Sequence, residues 1–210
     1  MTIERPYAGK LADERKQTRR AALLAAGLEL LGTEGVQATS VRAVCRQSGL
    51  SSRYFYESFT DLDELLVAVF DDVMEGGFVR ALEQIPNLDG DLRAIIAAVC
   101  SAFGETLQDP RAIRILLVEA WGSEALQRRR VETLHAGAAA LAAVVRQDAD
   151  PAPADGVVEI AAFAIMGGLL ETTLAWVDGA LPLPLERVFE QFIDLSVATM
   201  RQALAPAPQA

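Results

Sequence analysis

Apolar residues recur every three or four positions through most of the chain, which is the spacing that one face of an α-helix requires. In the N-terminal part this pattern predicts a helix over residues 18–31 and a short helix that carries Val41 and Val44. Either Thr39 or Ser40 can cap the short helix. A third helix runs through Phe55, and a fourth begins at Asp61, whose partner three residues on is a glutamate, as in a capping box. The N-terminal quarter is therefore predicted to consist of several closely spaced helices.

The same spacing continues to the C-terminus and predicts five more helices, over residues 92–107, 110–120, 128–145, 157–177 and 184–204. The helix over 157–177 is apolar on almost every side, so it must be covered on every side, either inside the bundle or by a second copy of the chain. Residues 148–155 hold two prolines and are predicted to be a linker. We predict an all-α fold of about nine helices. Residues 1–60 would form a three-helix DNA-binding domain with a helix-turn-helix, and residues 61–210 a helical bundle for ligand binding and dimerisation.

The composition supports a helical, globular protein and bears on its subcellular location. Apolar residues make up 51% of the 210 residues, and good helix formers dominate. The most apolar run, residues 160–170, is shorter than the roughly 20 residues that a membrane-spanning helix needs. The N-terminus has no apolar stretch of the kind found in signal peptides. Two cysteines, Cys45 and Cys100, lack metal-site spacing. We expect a cytoplasmic protein with no membrane contact, no metal and no cofactor.

The net charge of −10 is unevenly distributed along the chain. Residues 1–60 contain nine basic and six acidic residues, whereas residues 61–210 contain ten basic and twenty-three acidic ones. This asymmetry indicates an N-terminal part that faces nucleic acid and an acidic body that DNA would repel.

The segment over residues 39–66 has the pattern of two short helices joined by a tight turn. Gly49 supplies the turn, Val44 and Leu50 pack between the helices, and Phe55 anchors the second helix in the core. Such an arrangement leaves a set of mostly polar side chains projecting from the second helix, as a recognition helix in a major groove requires. They are Ser51, Ser52, Arg53, Tyr54, Tyr56 and Glu57.

This segment resembles the helix-turn-helix of the TetR family of bacterial regulators. The matching positions, in the family's order and spacing, are Thr39, Val41, Val44, Gly49, Leu50, Ser51, Tyr56, Phe59 and Leu65. The resemblance implies that Arg42, Ser52, Arg53 and Tyr54 lie where family members contact bases, and that Tyr56 contacts a phosphate. The family usually has a lysine where this chain has Leu62, so one expected phosphate contact is missing.

Lys10, Arg15, Lys16, Arg19 and Arg20 form a basic N-terminal arm, which adds Lys16 and Arg20 as candidates for phosphate contact. The full set of candidate DNA-binding residues is Lys16, Arg20, Thr39, Arg42, Ser51, Ser52, Arg53, Tyr54 and Tyr56. Several of them have an alternative interpretation. The basic arm could be only a solvated surface, and Arg53 could contact phosphate alone. Arg42 could be an ordinary solvated charge, and Tyr54 could pack on its neighbour Phe55.

The resemblance also implies a small-molecule cavity within the C-terminal bundle. The candidate lining residues are Phe103, Leu107, Leu116, Trp121, Phe163, Met166 and Trp176, each of which could instead be ordinary core. Polar residues near apolar faces could orient the ligand, namely Glu119, His135 and Glu171. Because Trp121 and Trp176 both fall in the body, indole emission is expected to report on the body alone. Its acidity favours an apolar effector that is neutral or cationic.

These features predict a homodimeric regulator that binds a palindromic operator in double-stranded DNA and is released from it by a small molecule. An enzyme is not expected, because the chain has one histidine and none of the common catalytic or phosphate-binding motifs. The alternative is a helical architectural protein that binds DNA without any effector. A solidly packed bundle would favour that alternative.

Overall fold

The computed structural model describes residues 7–84, 90–147 and 156–205, and this part of the chain is built of α-helices and short turns. Its nine α-helices are α1 (Tyr7–Thr33), α2 (Val41–Ser48), α3 (Ser52–Tyr56), α4 (Leu62–Gln84), α5 (Leu92–Thr106), α6 (Pro110–Ile113), α7 (Glu124–Arg146), α8 (Val157–Val177) and α9 (Leu185–Leu204). The all-helical prediction is therefore confirmed. The first helix begins eleven residues earlier than the apolar pattern predicted. The predicted linker, residues 148–155, lies outside the described residues.

The helices divide into two compact units, and the division does not follow the order of the chain. The first unit comprises residues 1–73 and 109–127, and the second comprises residues 74–108 and 128–210. α4 passes from the first unit into the second after Val73. The chain then returns to the first unit at Asp109 and leaves it again after Gln127. The predicted functional boundary between residues 1–60 and 61–210 stays a prediction, but the compact units have other limits.

In the first unit, α1 is the central helix and contacts α2, α3 and α6. The core of this unit holds fully buried side chains from α1, α2, α3, α4 and the segment after α6, and they include Leu23, Val44, Phe55, Leu65 and Ile115. Burying side chains of this size stabilises a fold by roughly 1.5–3 kcal/mol each. This shared core fixes the position of the short helices α2 and α3, which are too short to be stable alone.

The turn between α2 and α3 depends on a glycine, as the sequence indicated. Gly49 follows α2 with a φ of 70°, in the left-handed region where other residues are strained, and its N–H donates to the carbonyl of Cys45. At the other end of α2, the hydroxyl of Ser40 accepts a hydrogen bond from the N–H of Ala43 over 3.2 Å. Both ends of α2 are thus capped by the residues that local rules favour.

The segment after α6 is irregular, although its sequence predicted one plain helix. Pro110–Ile113 forms one α-helical turn, Arg114–Val118 forms a π-helical turn and Glu119–Trp121 a 3-10 turn. The wide turn is followed by a tight one, so the side chains here depart from regular helical spacing. Ile115, Leu116, Leu117 and Ala120 are all buried. Burial of these residues compensates for the irregular hydrogen bonding.

The second unit has its own core. α9 contacts both α8 and α5, and apolar side chains from α5, α7, α8 and α9 form one buried cluster that includes Ile95, Leu141, Ile165 and Met200. Between α8 and α9, the indole Nε1 of Trp176 donates a hydrogen bond to the carbonyl of Leu183 over 2.9 Å. The predicted helical bundle is therefore present in this unit.

α8 is more apolar over its length than the run of residues 160–170 indicated. Among the described residues it is the one helix whose 21 residues are long and apolar enough to cross a membrane by length and composition. The core helix of a globular protein has the same composition, and Val158, Ala162, Ile165 and Leu169 are buried within the second unit. Other residues of α8 are exposed, including Ile160.

Candidate functional site

α3 is held in the first unit by one buried ring and presents its other side chains to solvent. Phe55 is completely buried and packs edge-on against Tyr56 with ring centroids 5.4 Å apart. The side chain of Arg53 is 84% exposed, and Tyr54 and Tyr56 are 37% and 60% exposed. Ser52 is exposed as well. Four predicted DNA contacts thus lie together on the exposed surface of α3, with Tyr54 partly covered by α1.

The predicted contacts outside α3 are also exposed, except for one. Lys16 and Arg20 on α1, Arg42 on α2 and Ser51 before α3 are all exposed. The guanidinium carbon of Arg20 lies 4.8 Å from the centre of the Phe59 ring. This arginine is therefore steadied by a cation–π contact within the unit.

Thr39 is the exception and requires a correction. It is buried, and its hydroxyl donates a hydrogen bond to the carbonyl of Gly35 over 2.8 Å. Its hydroxyl therefore stabilises the turn between α1 and α2, and Ser40 is the residue that caps α2. The local pattern allowed either residue to be the cap, and the burial of Thr39 decided between them.

Two carboxylates accept hydrogen bonds at the N-terminus of α4, on either side of Leu62, the position at which the family usually has a lysine. Asp61 accepts a hydrogen bond from the N–H of Glu64 over 2.8 Å, and Glu64 accepts one from the N–H of Thr60 over 2.6 Å. The hydrogen bond from Thr60 lowers the pKa of Glu64 below its ordinary value. Leu62 is half-buried beside them. Asp61 thus caps α4 as predicted, but the return hydrogen bond of Glu64 goes to the N–H of Thr60 and not to that of Asp61, so the predicted capping box is formed only in part. The two carboxylates add negative charge at this end of α4.

Three of the predicted ligand-binding residues lie in the first unit, together with the helix-turn-helix. Leu116 is buried in the core of this unit, and Trp121 is 54% exposed. The Glu119 carboxylate accepts a hydrogen bond from the N–H of Val36, in the turn between α1 and α2. These residues are not brought together with the other seven in one compact unit. Indole emission is likewise not confined to the body, because Trp121 belongs to the first unit and Trp176 to the second.

The other seven predicted ligand-binding residues lie in the second unit, in varied surroundings. Phe103 and Leu107 are buried, and His135 stacks edge-on against Phe163 with ring centroids 5.3 Å apart. A Cβ at Gly137 would lie 2.8 Å from the terminal methyl of Met166, so this methionine packs directly on α7. Glu171 and Trp176 engage protein groups: the Glu171 carboxylate lies 3.5 Å from the guanidinium of Arg130, and the indole of Trp176 makes the hydrogen bond described above.

A small apolar cavity lies elsewhere in the second unit. Its free volume is about 10 Å³, which is close to the space of one water molecule. It is lined by Ile96, Val99, Cys100, Leu141, Ile165, Leu169 and Phe192. None of these was predicted as a ligand contact, and Ile96, Val99 and Cys100 all lie on α5. Burial raises the pKa of the Cys100 thiol to about 12. This thiol is therefore neutral at physiological pH.

Residues 23–69 match the family model for bacterial regulatory proteins of the tetR family. The matched residues all lie in the first compact unit and include α2, α3 and the start of α4. The helix-turn-helix segment of this chain is therefore similar to that of the TetR family. The resemblance of residues 39–66 to the family's helix-turn-helix is confirmed, and the family is one of transcriptional regulators.

Solved structures extend the TetR-like fold over nearly the whole chain. The FadR regulator of Bacillus subtilis, in complex with stearoyl-CoA, matches with a TM-score of 0.71 and 19% identity over 85% of this chain and 98% of its own. The fatty acid degradation regulator FadR of Bacillus halodurans matches with a TM-score of 0.72 and 15% identity, covering 95% and 99%. The multidrug binding protein EbrR, complexed with imidazole, matches with a TM-score of 0.62 and 22% identity, covering 92% and 93%. At these identities the likeness shows the shared fold.

Two further residues of this chain contribute to the exposed surface around α3. Arg19 of α1 places its guanidinium carbon 4.6 Å from the centre of the Tyr54 ring, and Glu57 approaches both Arg19 and Arg53. The sequence placed Arg19 in a basic arm and Glu57 on the projecting face, but it gave no sign that the two meet. Their contact depends on how α1 packs against α3.

Proposed function

We propose that this protein is a ligand-responsive transcriptional regulator of the TetR family that binds double-stranded DNA through α3. The exposed surface of α3, with Phe55 buried beneath it, is the observation that carries the proposal. Ser52, Arg53 and Tyr54 supply hydrogen-bond donors and an aromatic ring for base edges. The exposed hydroxyl of Tyr56 suits a phosphate.

Basic residues around α3 would position the helix on the duplex. Lys16, Arg20 and Arg42 are exposed cations of the first unit, and phosphate contacts fix orientation without reading sequence. Ser51 adds a hydroxyl at the start of α3. The carboxylates at the start of α4 would repel phosphates. Affinity for DNA would therefore depend strongly on the remaining cations.

A homodimer on a palindromic operator is the assembly we propose, because two recognition helices would reach successive major grooves. Exposed apolar residues on α8 and α9 support it. Ile160 is 70% exposed and Leu195 is 69% exposed, and a dimer interface formed by α8 and α9 would cover both side chains. The protein would act as a soluble dimer in the cytoplasm and as a repressor rather than an enzyme.

The effector would be an apolar small molecule, neutral or cationic, bound in the second unit. The apolar lining of the cavity and the acidic body both support this class. The cavity is far below the 300–1,000 Å³ of a typical ligand site, so Phe192 and its neighbours would have to move to admit a ligand. FadR in complex with stearoyl-CoA is the competing precedent for a large anionic effector.

Coupling between the effector and DNA would follow the path of the chain. α4 continues from the first unit into the second, and residues 109–127 enter the first unit and leave it again. Movement of either stretch on ligand binding would change the spacing between the two recognition helices. The effector must bind the two states with different affinities for this to occur.

Selection of bound duplexes from a random pool tests the DNA-binding proposal. We expect one palindromic sequence to be enriched. Arg42→Ala or Tyr54→Ala should then lower affinity for it by about 1–3 kcal/mol and relax its sequence preference. Lys16→Ala should weaken binding to every duplex alike and flatten the salt dependence by about one unit. No enrichment by the wild-type protein would overturn the proposal.

Effector class is tested on the selected duplex with three probes of different charge: dodecanol, tetraphenylphosphonium and stearoyl-CoA. Release by either of the first two supports the proposed class, whereas release by stearoyl-CoA alone overturns it. Reciprocity is required, so saturating DNA must weaken binding of the active compound by the same factor. Release by none of a broad set would favour the effector-free architectural protein.

A further inference from the structure

Glu57 joins two arginines on the exposed side of the first unit. Its Oε1 accepts a hydrogen bond from the Nε of Arg53 over 3.1 Å, and its Oε2 lies 3.6 Å from an Nη of Arg19. It follows directly after α3 and is the one acidic residue among residues 51–57. A carboxylate on a surface meant for DNA is repelled by phosphates, so its presence there needs a reason.

Arg19 shows that this carboxylate belongs to an ordered arrangement. Its side chain is only 26% exposed, and its guanidinium carbon lies 4.6 Å from the centre of the Tyr54 ring. Arg19 thus contacts Tyr54 in the middle of α3 and Glu57 directly after its last residue, and it anchors Glu57 from α1. The carboxylate that accepts the hydrogen bond from Arg53 is therefore also contacted by Arg19 of α1.

The bond to Arg53 leaves that arginine with a defined set of donors. A guanidinium has five N–H groups, and Glu57 occupies the one on Nε. The four N–H groups on the two terminal nitrogens remain. One N–H from each of these nitrogens can donate to O6 and N7 of a guanine in the major groove. An isolated surface ion pair contributes little to stability, so its value here would lie in orienting Arg53.

We propose that Glu57 is a specificity-determining residue that orients Arg53 to read a guanine in each half-site. The proposal rests on the DNA-binding function proposed above. Glu57 also offsets the charge of Arg53, which reduces the gain from contacts with phosphates of unrelated DNA. Arg53 reads the base, and Glu57 and Arg19 are positioning residues.

The test compares sequence preference and salt dependence for Glu57→Ala and Arg53→Ala. Duplexes selected by the wild-type protein should contain one guanine position that Arg53→Ala no longer prefers. Glu57→Ala should lose roughly 5-fold of the preference at that same position. On a duplex of random sequence its binding should become more salt-dependent by about one unit, because the freed Arg53 neutralises one more phosphate. Glu57→Gln, which keeps an acceptor but not the charge, should be intermediate.

The double variant and a matched control make the result decisive. Adding Glu57→Ala to Arg53→Ala should change neither the preference nor the salt dependence further. Glu14→Gln removes an exposed carboxylate from α1 and should leave the guanine preference unchanged. The proposal is overturned if Glu57→Ala behaves like Glu14→Gln, or if its effect persists without Arg53. A wild-type protein that selects no sequence would overturn the DNA-binding function itself.

Discussion

The carboxylate of Glu119 accepts a hydrogen bond from the backbone N–H of Val36, 83 residues earlier in the chain, over 2.9 Å. Its other oxygen accepts from the Nε of Arg114 over 2.9 Å, and the Glu119 side chain is only 13% exposed. Gly35 completes the contact. Its φ is 89°, and a Cβ there would lie 2.6 Å from the Glu119 carboxylate. The turn that leads into α2 is thus held by the segment after α6.

Glu119→Ala is expected to destabilise the first unit by about 1.5–3 kcal/mol, because it leaves a partly buried N–H and an arginine without their acceptor. Urea unfolding followed by Trp121 emission measures this, in a Trp176→Phe background that removes the second indole. Glu34→Ala changes an exposed carboxylate next to the same turn, and we expect it to be within about 0.5 kcal/mol of the parent. Equal stability of the two variants would contradict the structural role of Glu119.

The two cysteines are expected to differ strongly in reactivity. Burial raises the pKa of Cys100 to about 12, so its thiolate fraction is negligible at pH 8. Cys45 is half-buried on α2, and burial also raises its pKa, without the full enclosure of Cys100. Iodoacetamide should modify Cys45 first, as followed by mass spectrometry. The single-thiol variant Cys45→Ser should then react only on unfolding, and rapid modification of it would show that the cavity opens readily.

The hydrogen bond from Thr60 to Glu64 at the start of α4 predicts a pH dependence of stability. The hydrogen bond from Thr60 lowers the pKa of Glu64 below its ordinary 4.5. The stabilisation is therefore fully present above pH 4.5 and is lost as the pH falls through the lower, folded-state pKa. Thermal unfolding between pH 6 and pH 3 should show a smaller loss of stability for Glu64→Gln than for the wild-type protein. Parallel curves would mean that Glu64 does not contribute.

Assembly is tested at the exposed apolar positions. Leu195→Glu places a charge where the side chain is 69% exposed, so the monomer should fold normally while a dimer that covers this face should dissociate. Sedimentation equilibrium at micromolar concentration measures the mass. Glu186→Gln, at an exposed site of the same helix, serves as the control. A wild-type monomer, or a Leu195→Glu dimer of unchanged affinity, would contradict an interface at this face.

Local sequence determined the helices and the helix-turn-helix of this protein. Gly49 in the turn, a hydroxyl cap before α2, Phe55 beneath α3 and the Asp61 cap of α4 each act over a few residues, so spacing alone revealed them. The positions of most predicted DNA contacts followed from the same pattern. Thr39 was the exception, since its burial depends on how the turn packs on the rest of the unit.

Tertiary structure decided which surfaces those helices share. Periodicity tells which face of a helix is buried but not which partner buries it, so the sequence assigned Leu116, Glu119 and Trp121 to the body. They lie with the helix-turn-helix because Glu119 meets Val36, and no local rule links residues that are 83 positions apart. The contact of Glu57 with Arg19 arose in the same way, from the packing of α1 against α3.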